Sequence, residues 1–308
     1  MDERHPRYFD LQVNGYAGVD FNADGLTTDD VRRACAAMRA DGVAQVLATV
    51  ITANLDAMGR RLQRIAAAVA ADAFVAEVIV GIHVEGPFIS NEVGYVGAHP
   101  KADARPASLD VTKRLVDSAN ELIRLVTLAP ERDPAGDVTR WLVDQGVTVS
   151  AGHCNPSLEQ LRRAIDAGLS MFTHLGNGCP LVMHRHDNII QRVLSISDRL
   201  WVSFIADGVH VPFHALKNYL AVVGDRAIVV SDATAAAGMG PGIYQLAGQE
   251  VVVDEHLATW SADRSHLVGS ACTLKQMEAN LHRELGMSVD DIACLTSENP
   301  RRALGETA

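Results

Sequence analysis

The sequence predicts an α/β fold, a (β/α)8 barrel of the TIM type, from three observations. Short β-branched stretches alternate with Ala-, Leu- and Arg-rich helical stretches along most of the chain. Strands and helices that alternate in this way build a parallel sheet, either doubly wound or closed, and the count of eight strands favours the closed barrel. The chain has 308 residues, and one barrel takes about 250. We therefore expect a single barrel domain over residues 1–308.

Each predicted strand runs into a polar or glycine-rich turn. The strands are Tyr8–Val13, Val43–Thr49, Val78–Val84, Ile123–Leu128, Val147–Ala151, Ser170–Thr173, Trp201–Ala206 and Ala227–Ser231. The helices predicted between them are Thr28–Ala40, Leu55–Ala71, Leu109–Ala119, Val138–Gln145, Leu158–Ala167, Asn188–Ser195 and Phe213–Val223. After the eighth strand, apolar and polar residues alternate over 242–260, which predicts an inserted β-hairpin. Two helices, Leu274–Glu284 and Val289–Leu304, are expected to close the chain within residues 274–305.

Composition and charge exclude several classes of protein. The net charge of −11 is spread along the chain, without a basic stripe for a phosphate backbone, so we expect no nucleic-acid partner. The most apolar tract, 66–82, is interrupted by Asp72 and Glu77, so we expect no membrane span. Met1 to Arg7 lacks the apolar core of a signal peptide. Five cysteines without a Cys-x-x-Cys pair suit a reducing compartment, and we expect a cytoplasmic protein.

Ionisable and amide side chains lie at the ends of six predicted strands, where (β/α)8 enzymes place their chemistry. In chain order they are Gln12 with Asn14, Glu85, His153, His174, Asp207 with His210, and Asp232. Glu85, His153 and His174 offer one carboxylate and two imidazoles, the donor set of a catalytic zinc site that keeps one position open. Asp232 approaches from another strand and is a candidate general base.

Each of these residues also has a purely structural interpretation. His153 alone can be a hydrogen-bonded strand cap, Glu85 an ion-pair partner and Asp232 a helix cap. Their joint occurrence at equivalent strand ends favours the metal site. His83 shares a strand face with Glu85, and we expect it lower in the barrel as a packed polar residue. His184, His186 and His214 are expected in loops or at the surface.

The motifs at these strand ends resemble, in order, those of the N-acetylglucosamine-6-phosphate deacetylases of the amidohydrolase superfamily. The most specific is Gly-x-His-x-Glu-Gly-Pro-Phe at 81–88. The others are Asp-Leu-Gln-Val-Asn-Gly at 10–15, Gly-Ala-His at 97–99, Leu-Ala-Pro-Glu at 128–131, Ser-Ala-Gly-His at 150–153, Thr-His-Leu at 173–175, residues 205–210, Ser-Asp-Ala-Thr at 231–234 and Gly-Ser at 269–270. The resemblance runs from residue 10 to about residue 305.

The resemblance implies roles for the matching residues. Glu85, His153 and His174 correspond to metal ligands, and Asp232 corresponds to the catalytic acid and base. The positions that correspond to substrate contacts are Ala98, His99, Asn177, Gly178, Arg185, His210, Leu267, Val268 and Gly269. Among these, Arg185 matches a phosphate-binding arginine, and the resemblance implies a homodimer in which the neighbouring subunit supplies it. The implied cofactor is one divalent metal ion, with zinc expected first and iron, cobalt or manganese as alternatives.

The chain departs from the amidohydrolase pattern at three places. Gln12 and Asn14 stand where many members carry His-x-His, so the second-metal positions are expected to be vacant. Residues 176–180 read Gly-Asn-Gly-Cys-Pro instead of the usual Asn-Ala-Met, ahead of the histidine-rich stretch from His184 to His186. The β-sandwich that members build from both termini is expected to be absent or vestigial. The sequence leaves the sugar epimer and its phosphorylation open.

The expected activity is that of a metal-dependent hydrolase of an N-acetylated amino sugar. The first expectation is conversion of N-acetylglucosamine 6-phosphate to glucosamine 6-phosphate and acetate, a step of amino-sugar catabolism. One alternative is an amidohydrolase for another N-acyl or cyclic amide, and another is a non-catalytic sugar-binding barrel. A nucleophilic hydrolase is disfavoured because no Gly-x-Ser-x-Gly elbow is present. Cys154, on the opposite strand face from His153, is expected to be a packed thiol.

Overall fold

Eight parallel strands form the centre of the protein, described by a computed structural model over residues 7–306. Each strand pairs with the next one in chain order. They are β1 (Tyr8–Val13), β2 (Val43–Ile51), β3 (Ile79–Glu85), β4 (Ile123–Leu128), β5 (Thr148–Ala151), β6 (Met171–Phe172), β7 (Trp201–Phe204) and β8 (Ala227–Val229). The bounds of β1 and β4 match the predicted ones, and the other strands differ from prediction by one or two residues at an end.

The sheet closes between its first and last strands. Val13 and Ala233 form a parallel bridge, and the Asn14 backbone N–H donates to the Ala233 carbonyl at 2.7 Å. Below this bridge the Asp10 carboxylate accepts the Ser231 backbone N–H, at 3.2 and 3.3 Å from its two oxygens. Burial raises the pKa of Asp10 to about 7. The predicted (β/α)8 barrel is therefore confirmed.

Helices surround the barrel strands. They are α1 (Thr28–Ala40), α2 (Leu55–Ala71), α3 (Ala73–Val78), α4 (Leu109–Ser118), α5 (Asp137–Asp144), α6 (Leu158–Asp166), α7 (Ile189–Leu194), α8 (Phe213–Val223), α9 (Leu274–Leu285), α10 (Val289–Ala293) and α11 (Asn299–Ala303). Capping boxes at Thr27, Ser157, Thr273 and Ser288 begin four of them. Over residues 7–306, no helix combines the length and the apolar character that a bilayer crossing requires.

The C-terminal helix predicted over Val289–Leu304 is interrupted. A π-helical turn, Cys294–Glu298, separates α10 from α11. Pro300 has no N–H to donate, so a regular helix cannot continue through it without losing a hydrogen bond. Asn299 lies just before it, is buried and donates to the Ala227 carbonyl at 2.8 Å, which ties this end of the chain to the start of β8.

The segment after β8 forms an antiparallel sheet of three strands, one more than the predicted hairpin. Its strands are β9 (Gly242–Leu246), β10 (Gln249–Val253) and β11 (Thr259–Ser261). Leu246 and Val251 pack with Ile51 at the end of β2 and with Val268 in a small buried cluster. The sheet therefore supports the late loop that carries Val268 toward the mouth of the barrel.

Candidate active site

The carboxylate of Glu85, the last residue of β3, lies at the centre of the mouth and is buried. Its Oε1 lies 2.9 Å from His174 Nε2, 3.2 Å from His153 Nε2 and 3.2 Å from the amide nitrogen of Gln12. Burial works against its ionisation, but hydrogen bonds from His153 and His174 hold the pKa of Glu85 well below its ordinary value. Glu85 is therefore a carboxylate with two imidazoles aimed at it.

His153 is held in place from its far side. Its Nδ1 lies 3.0 Å from the Tyr95 carbonyl, which can only accept, so Nδ1 carries a proton and Nε2 is the ring nitrogen that faces the cluster. Two glycines with positive φ, Gly97 and Gly178, lie against the ring. A Cβ on either would lie 2.9 Å from a ring atom of His153. This second set of contacts fixes the position and the plane of the imidazole.

Three of the proposed site residues adopt left-handed backbone conformations, which residues with a Cβ rarely take. The φ angles are +49° at His153, +35° at His174 and +49° at Asp232. Each of these residues follows a barrel strand at the mouth. Strained backbone of this kind persists where the surrounding structure enforces it, and it concentrates at functional sites. The turn directs all three side chains into the same mouth.

Asp232 lies opposite Glu85 and is nearly buried. Its Oδ1 accepts the Asn14 amide at 2.7 Å. Burial and the Glu85 charge raise the pKa of Asp232 to about 6, although His174, His210 and Asn14 act in the opposite direction. A carboxylate with a raised pKa at the mouth of the site is suited to accept a proton and then release it.

Gln12 in β1 and Asn14 just after it are the residues at which the sequence predicts vacant second-metal positions. The Gln12 amide donates to Glu85 and the Asn14 amide donates to Asp232, so both present N–H groups to the carboxylates. An N–H group cannot ligate a cation, and amide donors neutralise part of the carboxylate charge that would attract one. These contacts favour the proposal of one metal ion rather than two.

Asp207 and His210 form a buried pair beside Asp232 that the sequence reasoning did not single out as a unit. His210 Nδ1 lies 2.6 Å from Asp207 Oδ2, and Asp207 also accepts the Ser270 hydroxyl at 3.1 Å. Burial opposes the charge on both residues, but their pairing raises the pKa of His210 and lowers that of Asp207. The signal in the sequence is an aspartate three residues before the histidine in the turn after β7.

Glu85, His99 and His153 form a group that can hold a metal ion, with one ligand atom of each within 4.8 Å of the others. His99 Nε2 lies 3.2 Å from His153 Nε2 and 3.9 Å from Glu85 Oε2. The family resemblance predicts a substrate contact for His99, whereas the structure also places it among the possible metal ligands. His174 contacts the Glu85 carboxylate directly from the other side.

The remaining residues that the sequence associates with substrate lie in three loops at the mouth. Ala98 is next to His99, and Gly178 contacts His153. Asn177 bonds back to the His174 carbonyl at 3.3 Å, while Arg185 is exposed. In the late loop, Leu267 bridges to Trp260, Val268 is buried, and Gly269 lies so close to the Asp232 carbonyl that a Cβ would approach it to 2.9 Å.

His83 and Cys154 lie away from the cluster. His83 is fully buried in the barrel, and its Nε2 lies 2.8 Å from the Thr127 hydroxyl, which continues to Thr173 at 2.8 Å. Burial lowers the pKa of His83 to about 4, so it is neutral. Cys154 is a buried free thiol whose pKa burial raises well above the ordinary value. Neither residue has the position or the charge state of a catalytic group.

Gly178→Ala is expected to weaken metal binding about tenfold or more, because the new Cβ displaces the His153 ring and disturbed ligand orientation typically costs 10–100-fold in affinity. Titration with Zn²⁺ against a competing chelator measures this. Gly146→Ala is the matched control, since Gly146 has a φ of +76° and no neighbour within 4 Å of the added Cβ. Equal metal affinities of the two variants would contradict the proposed packing of Gly178 on His153.

The fold and the site define a class: a (β/α)8 hydrolase of the amidohydrolase type, with a carboxylate–imidazole cluster and a separate aspartate at its mouth. The chain is 31% identical over 303 residues to the N-acetylglucosamine-6-phosphate deacetylase of Bacillus subtilis (strain 168), covering 97% of this chain and 75% of that protein. It is 32% identical to the N-acetylgalactosamine-6-phosphate deacetylase of Escherichia coli O157:H7, covering 97% and 78%. The chain belongs to the family of N-acetylglucosamine-6-phosphate deacetylases.

A solved structure agrees with this assignment. An aspartate-to-alanine mutant of the Mycobacterium smegmatis N-acetyl-D-glucosamine-6-phosphate deacetylase, in complex with N-acetyl-D-glucosamine-6-phosphate, superposes with a TM-score of 0.88 at 32% identity. The match covers 99% of this chain and 78% of that one. No protein-family model matches the chain.

Proposed function

We propose that this protein hydrolyses the acetamide of an N-acetylated hexosamine 6-phosphate, with N-acetylglucosamine 6-phosphate as the first substrate. The products are glucosamine 6-phosphate and acetate. The observation that carries this proposal is the arrangement of Asp232 across one mouth from the Glu85 cluster, in a chain of this family. Asp232 can transfer a proton, and the Glu85 cluster can bind a cation, at the same acetamide group.

The proposed cofactor is one divalent metal ion, held by Glu85 and His153 together with His174. The donor set fits such an ion, since the pKa of the buried Glu85 is held well below its ordinary value and His153 Nε2 faces its carboxylate. When bound, the ion supplies a Lewis acid for the acetamide carbonyl and makes a water molecule more acidic. Zinc is our first choice, and one carboxylate with imidazoles also suits iron, cobalt and manganese.

The protein's own residues carry the proton transfers in this mechanism. Asp232 accepts a proton from the water that attacks the carbonyl carbon, then returns it to the amine nitrogen as the C–N bond breaks. His210, whose pKa the neighbouring Asp207 raises, is placed to donate a hydrogen bond to the oxygen on which negative charge develops. Asn14 holds the Asp232 carboxylate in position through both steps.

Substrate recognition is proposed for the loop residues of the mouth. In this proposal the sugar is surrounded by the backbone at Asn177 and Gly178, by His99, and by the late loop from Leu267 to Gly269. Arg185 is the proposed phosphate ligand, and its exposure suits delivery to the site of a second subunit in a homodimer. The homodimer and the cytoplasmic location remain predictions from the sequence.

The test of this proposal is acetate release by the metal-reconstituted protein from N-acetylglucosamine 6-phosphate, its galactosamine epimer and unphosphorylated N-acetylglucosamine. We expect at least a hundredfold preference in kcat/KM for a phosphorylated sugar, because charge-assisted hydrogen bonds to phosphate contribute about 1.5–3 kcal/mol each. The galactosamine epimer is included because the chain has similar sequence identity to a glucosamine-type deacetylase, 31%, and to a galactosamine-type deacetylase, 32%. Release from none of the three by metal-loaded protein would favour another amidohydrolase substrate.

Arg185→Ala is expected to raise KM for the phosphorylated sugar about 10- to 100-fold, since one charged contact to phosphate is lost. The unphosphorylated sugar should be cleaved as before, which separates phosphate recognition from damage to the site. Arg199→Ala, which removes an exposed arginine paired with Asp166 at 3.0 Å, is the matched control. Equal effects on both sugars would remove the proposed role of Arg185.

A further inference from the structure

We propose that His99 is a metal ligand of the substrate-free enzyme, supplied by the loop between β3 and α4 (residues 86–108, the closing loop), and that substrate takes its place. The proposal rests on the proposed function for the presence of a metal. It assigns His99 two successive partners, the ion before substrate binds and the sugar afterwards. Metal binding would therefore hold the closing loop over the mouth.

His99 lies near the separation of neighbouring ligands on one ion, closely for His153 and about half an ångström farther for Glu85. His99 Nε2 is 3.2 Å from His153 Nε2 and 3.9 Å from Glu85 Oε2. With metal–nitrogen bonds of about 2.0–2.1 Å, two donors of a tetrahedral site lie about 3.3–3.4 Å apart. The two rings meet edge-on, with centroids 4.3 Å apart and planes at 85°, so that their Nε2 atoms face each other.

In the described part of the chain, no hydrogen bond at Nδ1 holds the His99 ring in place. His99 Nδ1 is buried and has no partner within residues 7–306. His153, by contrast, is oriented by the Tyr95 carbonyl. The orientation of His99 is therefore set at Nε2, by the cluster itself, and a metal ion is the partner that a buried, neutral imidazole can bind most strongly there.

The closing loop is built around His153, which couples its position to the cluster. Ser90 donates its backbone N–H to the His153 carbonyl at 2.9 Å, Tyr95 accepts from the His153 ring, and Gly97 lies against that ring. The same loop exposes Val93, whose side chain is 81% accessible. A ligand bond at His99 adds an attachment in the middle of this loop.

An exchangeable fourth ligand also agrees with what the reaction requires. Glu85, His99 and His153 form one close group, and His174, which contacts Glu85 Oε1 at 2.9 Å, would be the fourth ligand of a four-coordinate site, the arrangement of a structural metal. A catalytic metal keeps one position for water or substrate. His99 is the donor that can leave, because it comes from a loop, while Glu85, His153 and His174 follow barrel strands.

The experiment is metal binding without any sugar, on the full chain. Zn²⁺ affinity is measured by chelator competition, and the visible spectrum of the Co²⁺ form reports the ligand set, for the unmodified protein, His99→Ala and His99→Gln. We expect both variants to bind Zn²⁺ at least tenfold more weakly and to show weaker Co²⁺ absorption, as water replaces an imidazole. His210→Gln, which removes a buried histidine outside the ligand group, should leave both readouts unchanged.

Hydrogen exchange of the unmodified protein with and without Zn²⁺ tests the closure. Peptides from the closing loop should be protected severalfold by Zn²⁺, and His99→Gln should abolish that protection. Unchanged Zn²⁺ affinity and Co²⁺ spectra in folded His99 variants, with only a raised KM, would make His99 a substrate contact alone and overturn the proposal. Failure of the proposed deacetylation would appear separately, as a protein that binds metal through His99 and releases no acetate.

Discussion

Asp232→Asn is expected to lower kcat about 10²- to 10⁴-fold while the protein keeps its metal. Asparagine retains the size of the side chain and an oxygen for the Asn14 amide, but it cannot accept and return a proton. Acetate release at saturating sugar measures the loss, and metal content measured by elemental analysis shows that the cluster is intact. A variant with near-normal kcat would exclude Asp232 as the proton-transfer group.

Asp20→Asn is the matched control for this substitution. Asp20 is also a buried aspartate, but its oxygens accept the backbone N–H groups of Asn22 and Ala247, away from the cluster. Its substitution should change stability without the loss of kcat expected for Asp232.

The pH profile gives a second readout of Asp232. Only the ionised carboxylate accepts a proton, so kcat/KM falls as the pH drops through the pKa of this group. Burial and the Glu85 charge raise that pKa from 3.8 to about 6. A bound cation opposes the Glu85 charge, so we expect the acid limb of the loaded enzyme between these two values, and it should be absent from the residual rate of Asp232→Asn.

Glu85→Gln is expected to lower metal affinity at least about 100-fold and thereby to abolish acetate release. This loss is larger than the 10–100-fold that disturbed ligand orientation typically causes. The substitution removes the one negative charge that His153 and His174 share, and it replaces a carboxylate with a neutral amide. Metal affinity is measured by chelator competition. Full activity at normal metal occupancy would rule out Glu85 as a ligand.

Glu131→Gln controls for the loss of a glutamate at the same end of the barrel. Glu131 lies in the turn after β4, and its Oε1 accepts the Asn155 backbone N–H at 2.6 Å rather than facing the cluster. The variant should keep its metal, although burial raises the pKa of Glu131 and its removal can alter stability.

Much of the barrel was predictable because its determinants are local. Apolar β-branched runs define β1 and β4, and Thr27 with Asp30 marks the start of α1 in the sequence itself. The third strand of the small sheet, Thr259–Ser261, was missed because three residues have no clear periodicity. The π turn at Cys294–Glu298 was missed because its hydrogen bonds follow from packing against the barrel end.

The site was predictable where strand ends define it. The rule that barrel chemistry follows the strands singles out Glu85, His153, His174 and Asp232, and the structure brings all four to one mouth. The same rule does not predict the position of His99. This residue lies fourteen positions after Glu85, and its place depends on how the loop folds back on His153. The pairing of Asp207 with His210 depends likewise on the conformation of a turn.

His153, His174 and Asp232 have left-handed backbone conformations, which lower the stability of the barrel. Their side chains are nevertheless required for the proposed reaction, so stability and catalysis oppose each other at the mouth. Glycine at any of these positions would relieve the steric cost of a Cβ, about 1–2 kcal/mol for each residue. It would also remove a buried ionisable group from the barrel. Substitution to glycine at these positions is therefore expected to relieve backbone strain and to lose the reaction. The backbone strain at the mouth is the cost of placing two imidazoles and one carboxylate there.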